Sequence, residues 1–97
     1  MSYSFTPAAR EEFLGAMQWY LADGGPVPAE FFEHEVDRAL RLLDFMPRLG
    51  TPGYGGTRTW PVRDFPYTVV YRVEADGISV IAVAHQSREP GYWRGRT

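Results

Sequence analysis

The spacing of apolar residues changes once along the chain, at a glycine-rich break between residues 50 and 56. Ahead of the break, apolar positions recur every three to four residues, the period of a helix with one buried face. Beyond it they alternate, the period of a strand. A short strand, Tyr3 to Thr6, precedes the first helix and puts Tyr3 and Phe5 on one face. Thr6-Pro7 then opens the helix: a threonine hydroxyl caps an orphan backbone N–H, and proline at the first position lacks only an N–H that would have no partner. Phe13, Met17 and Tyr20 follow at i, i+4 and i+7, with Leu14 and Leu21 broadening the stripe. Gly24-Gly25-Pro26 stops this helix, and a second begins near Pro28. Its apolar set is Phe32, Val36, Ala39, Leu40 and Leu43; Glu30, Glu33, Asp37, Arg38, Arg41 and Asp44 take the opposite face. Pro47 ends it, because proline pushes the residue before it out of the helical region. The short link predicts an antiparallel αα-hairpin.

Residues 50–56 read as a loop. Thr57 to Arg63 then alternates, but Pro61 cannot donate to a ladder, so this strand lies at an edge or breaks there. Asp64-Phe65-Pro66 turns the chain into the strand Tyr67 to Val73, with Tyr67, Val69, Tyr71 and Val73 on one face and Thr68, Val70 and Arg72 on the other. Ala75-Asp76-Gly77 is a hairpin turn, its glycine available for positive φ. Ile78 to His85 is apolar on both faces and reads as a central, covered strand, and Gln86 to Thr97 is a polar, aromatic, arginine-rich tail. The order β-α-α-β-β-β-tail predicts an α+β fold, a helix pair packed on one face of an antiparallel sheet, over a single domain of residues 1–97. The arginines and the tail are left for the other face.

Composition narrows the classes. The chain has no cysteine, which excludes a disulfide framework and a thiolate metal site and fits a reducing cytosol. No apolar run reaches the ~18–20 residues that span a bilayer, and Met1-Ser2-Tyr3-Ser4-Phe5 lacks the basic and apolar regions of a signal peptide. The expected setting is cytoplasmic. Net charge is −2, yet every one of the 10 basic residues is arginine. Residues 1–47 sum to −5 and residues 48–97 to +3. That is an acidic first half and a mildly basic second half. A net-negative chain is a poor general binder of nucleic acid, whose phosphates demand cations; a local arginine cluster still suits an anionic target or an acidic partner.

No phosphate-loop, zinc-protease, nucleophile-elbow or dinucleotide signature is present. Gly50, Gly53, Gly55 and Gly56 fit none of the phosphate-binding spacings and lead into a strand. His34 and His85 lack a paired-ligand pattern, so neither a metal nor a cofactor is expected. The acids Glu11, Glu12, Glu30, Glu33, Glu35 and Asp37 read as solvated helix faces. The segment from His85 through Arg88, Tyr92 and Trp93 to Arg94 gathers an imidazole, guanidiniums, a phenol and an indole. It reads either as a recognition surface or weak acid–base site, or as packing in which Tyr92 and Trp93 cover the sheet edge. Arg58, Arg63 and Arg72 lie on neighbouring strands, but the alternation puts Arg58 and Arg63 on opposite faces unless Pro61 resets it.

Four pieces stand in a fixed order along the chain: Phe5-Thr6-Pro7-Ala8-Ala9-Arg10-Glu11-Glu12, the helix stop Phe45-Met46-Pro47-Arg48-Leu49-Gly50, Arg63 with Tyr67-Thr68-Val69-Val70-Tyr71-Arg72, and His85-Gln86-Ser87-Arg88-Glu89-Pro90. With these pieces, the layout as a whole resembles the RelE/ParE toxin superfamily. The resemblance implies a toxin of a type II toxin–antitoxin module, of the plasmid-stabilisation kind, in a hetero-oligomer with a ParD-like antitoxin that itself binds the DNA. RelE-like members are mRNA endonucleases, for which Arg58, Arg63, Arg72, His85 and Tyr92 would be the catalytic candidates. ParE-like members inhibit DNA gyrase and cleave nothing. The lack of lysine and the slightly negative net charge sit poorly with a protein that must hold mRNA in the ribosome, and the His85-x-x-Arg88-x-Pro90 ending resembles the ParE side, with Arg88, Tyr92, Trp93 and Arg94 as target-binding candidates. A third reading is an inert relative that only binds antitoxin.

Overall fold

The computed structural model describes residues 2–96; Met1 of the opening segment and Thr97 of the tail lie outside the described residues. The chain runs β1 (Ser2–Phe5), α1 (Pro7–Gly24), α2 (Pro26–Phe45), β2 (Thr51–Pro52), β3 (Arg58–Pro61), β4 (Tyr67–Glu74) and β5 (Gly77–His85), with 3-10 turns at Pro47–Leu49, Tyr54–Gly56 and Arg94–Arg96. The fold is α+β. The helices form a hairpin against one face of a five-stranded sheet ordered β1-β5-β4-β3-β2. The sheet is mixed, not wholly antiparallel: β1 pairs in parallel with β5, Ser2 to Gly77 through Phe5 to Val80. A parallel pair needs a long crossover, and the helix hairpin supplies it.

Helix α1 begins as its sequence demands, with the Thr6 hydroxyl accepting the Ala9 N–H at 3.3 Å and Pro7 in the first turn. Its buried line, however, is Ala9 and Ala16, flanked by the half-buried Phe13, Met17 and Tyr20. Leu14 and Leu21, expected to broaden that stripe, are 44% and 52% exposed. Each sits one residue, about 100° of helix rotation, round from the packed line. Alanines at the contact bring the helix axis close to β5, which leaves the wider flank facing outward. Helix α2 buries all five expected residues, Phe32, Val36, Ala39, Leu40 and Leu43. Phe32 is the centre of an aromatic cluster, with Phe13, Tyr20, Phe65 and Tyr67 all within 5.8 Å between ring centroids. Glu35, expected on a solvated face, is 6% exposed and has Arg38 at 3.9 Å.

Strand β5 carries apolar residues on both faces for a specific reason. Its register against β4 slips between Val70 and Tyr71: Val70 pairs with Ala82 and Tyr71 with Val80, leaving Ile81 extra. The bulge therefore sends Ile78, Val80 and Val83 to the helix side, and Ile81 and Ala82 to the other side with Val70 and Trp93. Gly77 is required by space as well as by conformation. Its φ is +150°, and a Cβ there would lie 1.9 Å from the carbonyl oxygen of Ser2 on β1. Strand β3 ends at Pro61, but the Val62 N–H still bonds Tyr67 O at 2.9 Å; by alternation the proline nitrogen faces away from β4, on the edge beyond β2, where no donor is needed. The Gly50–Gly56 segment is not wholly loop: Thr51–Pro52 pairs with Arg58 and Thr59 and forms the last strand.

The segments that carry the family likeness meet in space. The Tyr71 hydroxyl, fully buried on β4, donates to Pro47 O at 2.6 Å and accepts the Gly50 N–H at 2.9 Å. Arg58 Nη1 donates to Arg48 O at 3.0 Å and Gly50 O at 2.8 Å. The Pro47-Arg48-x-Gly50 turn is thus bolted to the sheet by one phenol and one guanidinium. A Cβ on Gly50 would fall 2.4 Å from the Tyr71 hydroxyl, so glycine is fixed there by volume.

Candidate functional site

The C-terminal tail folds back over the face of the sheet that the helices leave bare. Each step is a tight turn: Arg88 N–H bonds His85 O, Tyr92 N–H bonds Glu89 O and Arg96 N–H bonds Trp93 O. The descent seats Trp93, 8% exposed, on Val70, Ile81 and Ala82. Trp93 was named with Arg88, Tyr92 and Arg94 as a target contact; the structure makes it a core residue with little surface to offer. Its indole is the apolar cover that the bulged Ile81 and Ala82 need.

Glu12 of α1 fastens this tail. Its carboxylate accepts the Val83 N–H at 3.0 Å, the Tyr92 hydroxyl at 2.5 Å, and Arg96 Nη1 and Nη2 at 2.9 and 3.0 Å. Burial alone would raise the Glu12 carboxyl, but the bonds from Arg96, Tyr92 and Val83 hold it below the ordinary range. Burial first, and then the same contact with Glu12, push the Tyr92 phenol up to about 12. Strand β1 covers only Gly77 to Val80 of β5, so the rest of that edge needs other partners. Glu12 takes the Val83 N–H, and Arg96 reaches Ile81 O at 3.2 Å. Side chains thus seal a strand edge that would otherwise be open. Reading Glu12 as solvated missed this role: its partners lie 71 to 84 residues away, and no local spacing signals them.

Arginines decorate the result. The Arg88 guanidinium lies 3.8 Å and that of Arg96 5.2 Å from the centroid of the Tyr92 ring, and Arg94 lies over Tyr54 at 4.9 Å. The His85 imidazole meets Tyr67 edge-on at 4.9 Å, and its Nδ1 accepts the Ser87 N–H at 3.0 Å, which places any single ring proton on Nε2. His85, Arg88 and Tyr92 border one shallow groove of about 220 Å³, together with Thr59 and Thr68.

The five nuclease candidates are not brought together. Arg58 pairs with Tyr71 and so lies on the helix side, bonded to Arg48 and Gly50 carbonyls. Arg72, the next residue along β4, points to the opposite side and donates to Gly55 O at 2.6 Å. Arg63 is exposed beyond the end of β3, beside Glu35, Arg38 and Trp60. Only His85 and Tyr92 share a groove, and the Tyr92 phenol is already committed as a donor to Glu12. Chemically the surface is cationic and aromatic, suited to gripping an acidic or aromatic partner. Among the described residues, no three His, Asp or Glu are placed to hold a metal, and no helix is long and apolar enough to cross a membrane.

Comparison with known proteins agrees with this architecture. No curated protein matches the chain. A solved structure described as the chromosomal ParDE TA system from P. aeruginosa superposes with a TM-score of 0.74 at 20% identity, over 88% of this chain and 95% of that one; the likeness is one of fold. The family model of the ParE toxin of the type II toxin–antitoxin system, parDE, matches residues 3–90, nearly the whole sequence, and the chain belongs to that family.

Proposed function

We propose that this chain acts in the cytoplasm by binding and inhibiting DNA gyrase, and that a cognate ParD-like antitoxin neutralises it in a hetero-oligomer, the arrangement of a plasmid-stabilisation module. The observation that carries this reading is the fate of the arginines. Arg58 and Arg72 lie on opposite faces with their guanidiniums spent on backbone carbonyls. They cannot converge on one scissile phosphate, as a nuclease site requires. Arg88, Arg94 and the rim of Tyr92 instead decorate a tail held rigid by Glu12, which favours recognition over cleavage. Helix α1 also exposes Leu14 (44%) and Leu21 (52%), two turns apart and so on one flank, an apolar strip fit for an antitoxin segment that folds on binding. Direct DNA binding is not expected from a chain with net charge −2.

The test pairs two assays on antitoxin-free protein: gyrase supercoiling of plasmid DNA, and mRNA cleavage on translating ribosomes. Lost supercoiling with intact mRNA supports the proposal, and Arg88→Ala should then restore supercoiling. Cut mRNA with normal supercoiling overturns it in favour of the endonuclease reading. Silence in both, from protein that binds antitoxin when it is added back, leaves a family member that only binds its partner.

A further inference from the structure

The end of the sheet opposite β2 is unfinished. Strand β1 has β5 on one side and, among the described residues, no strand on the other. The Thr6 N–H bonds to Val80 O on β5, so by the alternation of a strand the N–H and C=O groups of Tyr3 and Phe5 point outward. These are four hydrogen-bonding groups in a row at an accessible edge.

Beside that edge lies a groove of about 420 Å³ between β1 and α2. Its floor is Tyr3, Phe5 and Phe13, and its far wall is the flank of α2 carrying Glu30, Glu33 and Asp37. Asp37 is already engaged, accepting from the Tyr3 hydroxyl and from Arg41 Nε at 2.8 Å. Glu30 and Glu33 are exposed and have no ion-pair partner among the described residues. His34, the remaining titratable group on the wall, adds a second polar rim position. A strand laid along β1 would send alternate side chains into this groove, about 6–7 Å apart. Glu30 and Glu33, one helical turn apart, stand about 5–6 Å apart. Aromatic faces below and unpaired carboxylates above are what the stem and head of an arginine or lysine require.

We propose that the outer edge of β1 is a docking site for an extended segment of a partner polypeptide that carries Arg or Lys at alternate positions. The segment adds a sixth strand to the sheet, its basic side chains lying over Phe5 and Phe13 and ending at Glu30 and Glu33. The inference goes beyond the toxin reading and does not depend on it: an antitoxin confined to the helix hairpin, or a gyrase contact confined to the tail, leaves this edge as it is.

The experiment titrates the ¹⁵N-labelled full chain at low salt with a blocked hexapeptide of alternating Arg and Val, and with its Glu and Val counterpart. The expected result is saturable shift changes at the Tyr3 and Phe5 amides and along 30–37, with slowed solvent exchange of those two amides, for the arginine peptide only. Glu30→Gln combined with Glu33→Gln, both exposed and remote from the core, should weaken that binding roughly tenfold. Equal binding of the glutamate peptide, no saturation at Tyr3 and Phe5 by about 1 mM on the affinity scale of weak peptides, or an unchanged affinity in the double variant would each overturn the assignment.

Discussion

The Tyr92 hydroxyl donates to Glu12 at 2.5 Å across 80 residues of sequence, tying the end of the chain to the second turn of its first helix. Around that bond the carboxylate also holds Arg96 and the Val83 N–H, so one side chain joins α1, β5 and the tail. Glu12→Ala removes a charged acceptor from several donors, and bonds to a charged group contribute roughly 1.5–3 kcal/mol each, not additively. The expected loss is about 2–4 kcal/mol in urea unfolding, against less than ~0.5 kcal/mol for Glu11→Ala on the exposed neighbour. Equal midpoints for the two variants would remove Glu12 from its place as the clamp.

Tail docking should depend on pH in both directions. Glu12 has its folded pKa depressed below the ordinary 4.5, so its contribution is present above that value and is lost as pH falls through the folded pKa. Tyr92 has its folded pKa raised from 10.0 to about 12, so its contribution is present below 10.0 and is lost as pH climbs towards 12. The tail is therefore held most firmly between these limits. The indole ¹H–¹⁵N resonance of Trp93 reads docking directly, and it should move towards its unstructured position below pH 4.5 while the β4 amides keep theirs. A Trp93 signal that melts only with the whole fold would show that the tail and core are one cooperative unit.

The turn at Pro47 to Gly50 offers a sharper stability test. Tyr71→Phe keeps the ring but strips the hydroxyl from Pro47 O and the Gly50 N–H, leaving polar groups without a partner beside a buried ring. The expected cost is about 2–3 kcal/mol. Gly50→Ala forces a methyl to within 2.4 Å of the same hydroxyl and 2.9 Å of Thr59 O, and should cost at least as much. In the double variant the hydroxyl is gone and one clash is relieved, so the two losses should sum to less than their separate values. Strict additivity in denaturation would mean that the two residues do not share this contact.

Much of the fold was legible because it rests on local pattern. The α2 stripe from Phe32 to Leu43 and the β4 alternation from Tyr67 are periodic, and the proline and glycine stops fell within two residues of the observed ends. What the sequence withheld was long-range. Strand β1 is too short to reveal its parallel partner, and β2, two residues long, exists only because Thr59 and Arg58 lie opposite it. The Ile81 bulge is invisible in a run that is apolar on both faces. At the candidate site, His85, Arg88 and Tyr92 were legible as a cluster, since they share one short segment. Glu12 was not, because an acid near a helix start looks the same whether it faces water or a returning tail.

Arg58 and Arg88 separate the two functional readings without recourse to sequence likeness. Arg58 serves the turn that Tyr71 also holds, so Arg58→Ala should lower stability by about 1 kcal/mol, the contact being partly exposed. Per folded molecule, its effect on the target should be small. Arg88 is exposed and rests on the Tyr92 ring, a contact worth about 0.5–1 kcal/mol at a surface. Arg88→Ala should therefore melt close to the parent while losing most of the inhibition of supercoiling proposed above. The measurement is the dose that halves supercoiling, set beside the urea midpoint of the same preparation. If Arg58→Ala at full folding abolishes toxicity and Arg88→Ala spares it, the working surface lies on the helix side at the Pro47 turn, and the tail is only the cover of the bulged strand.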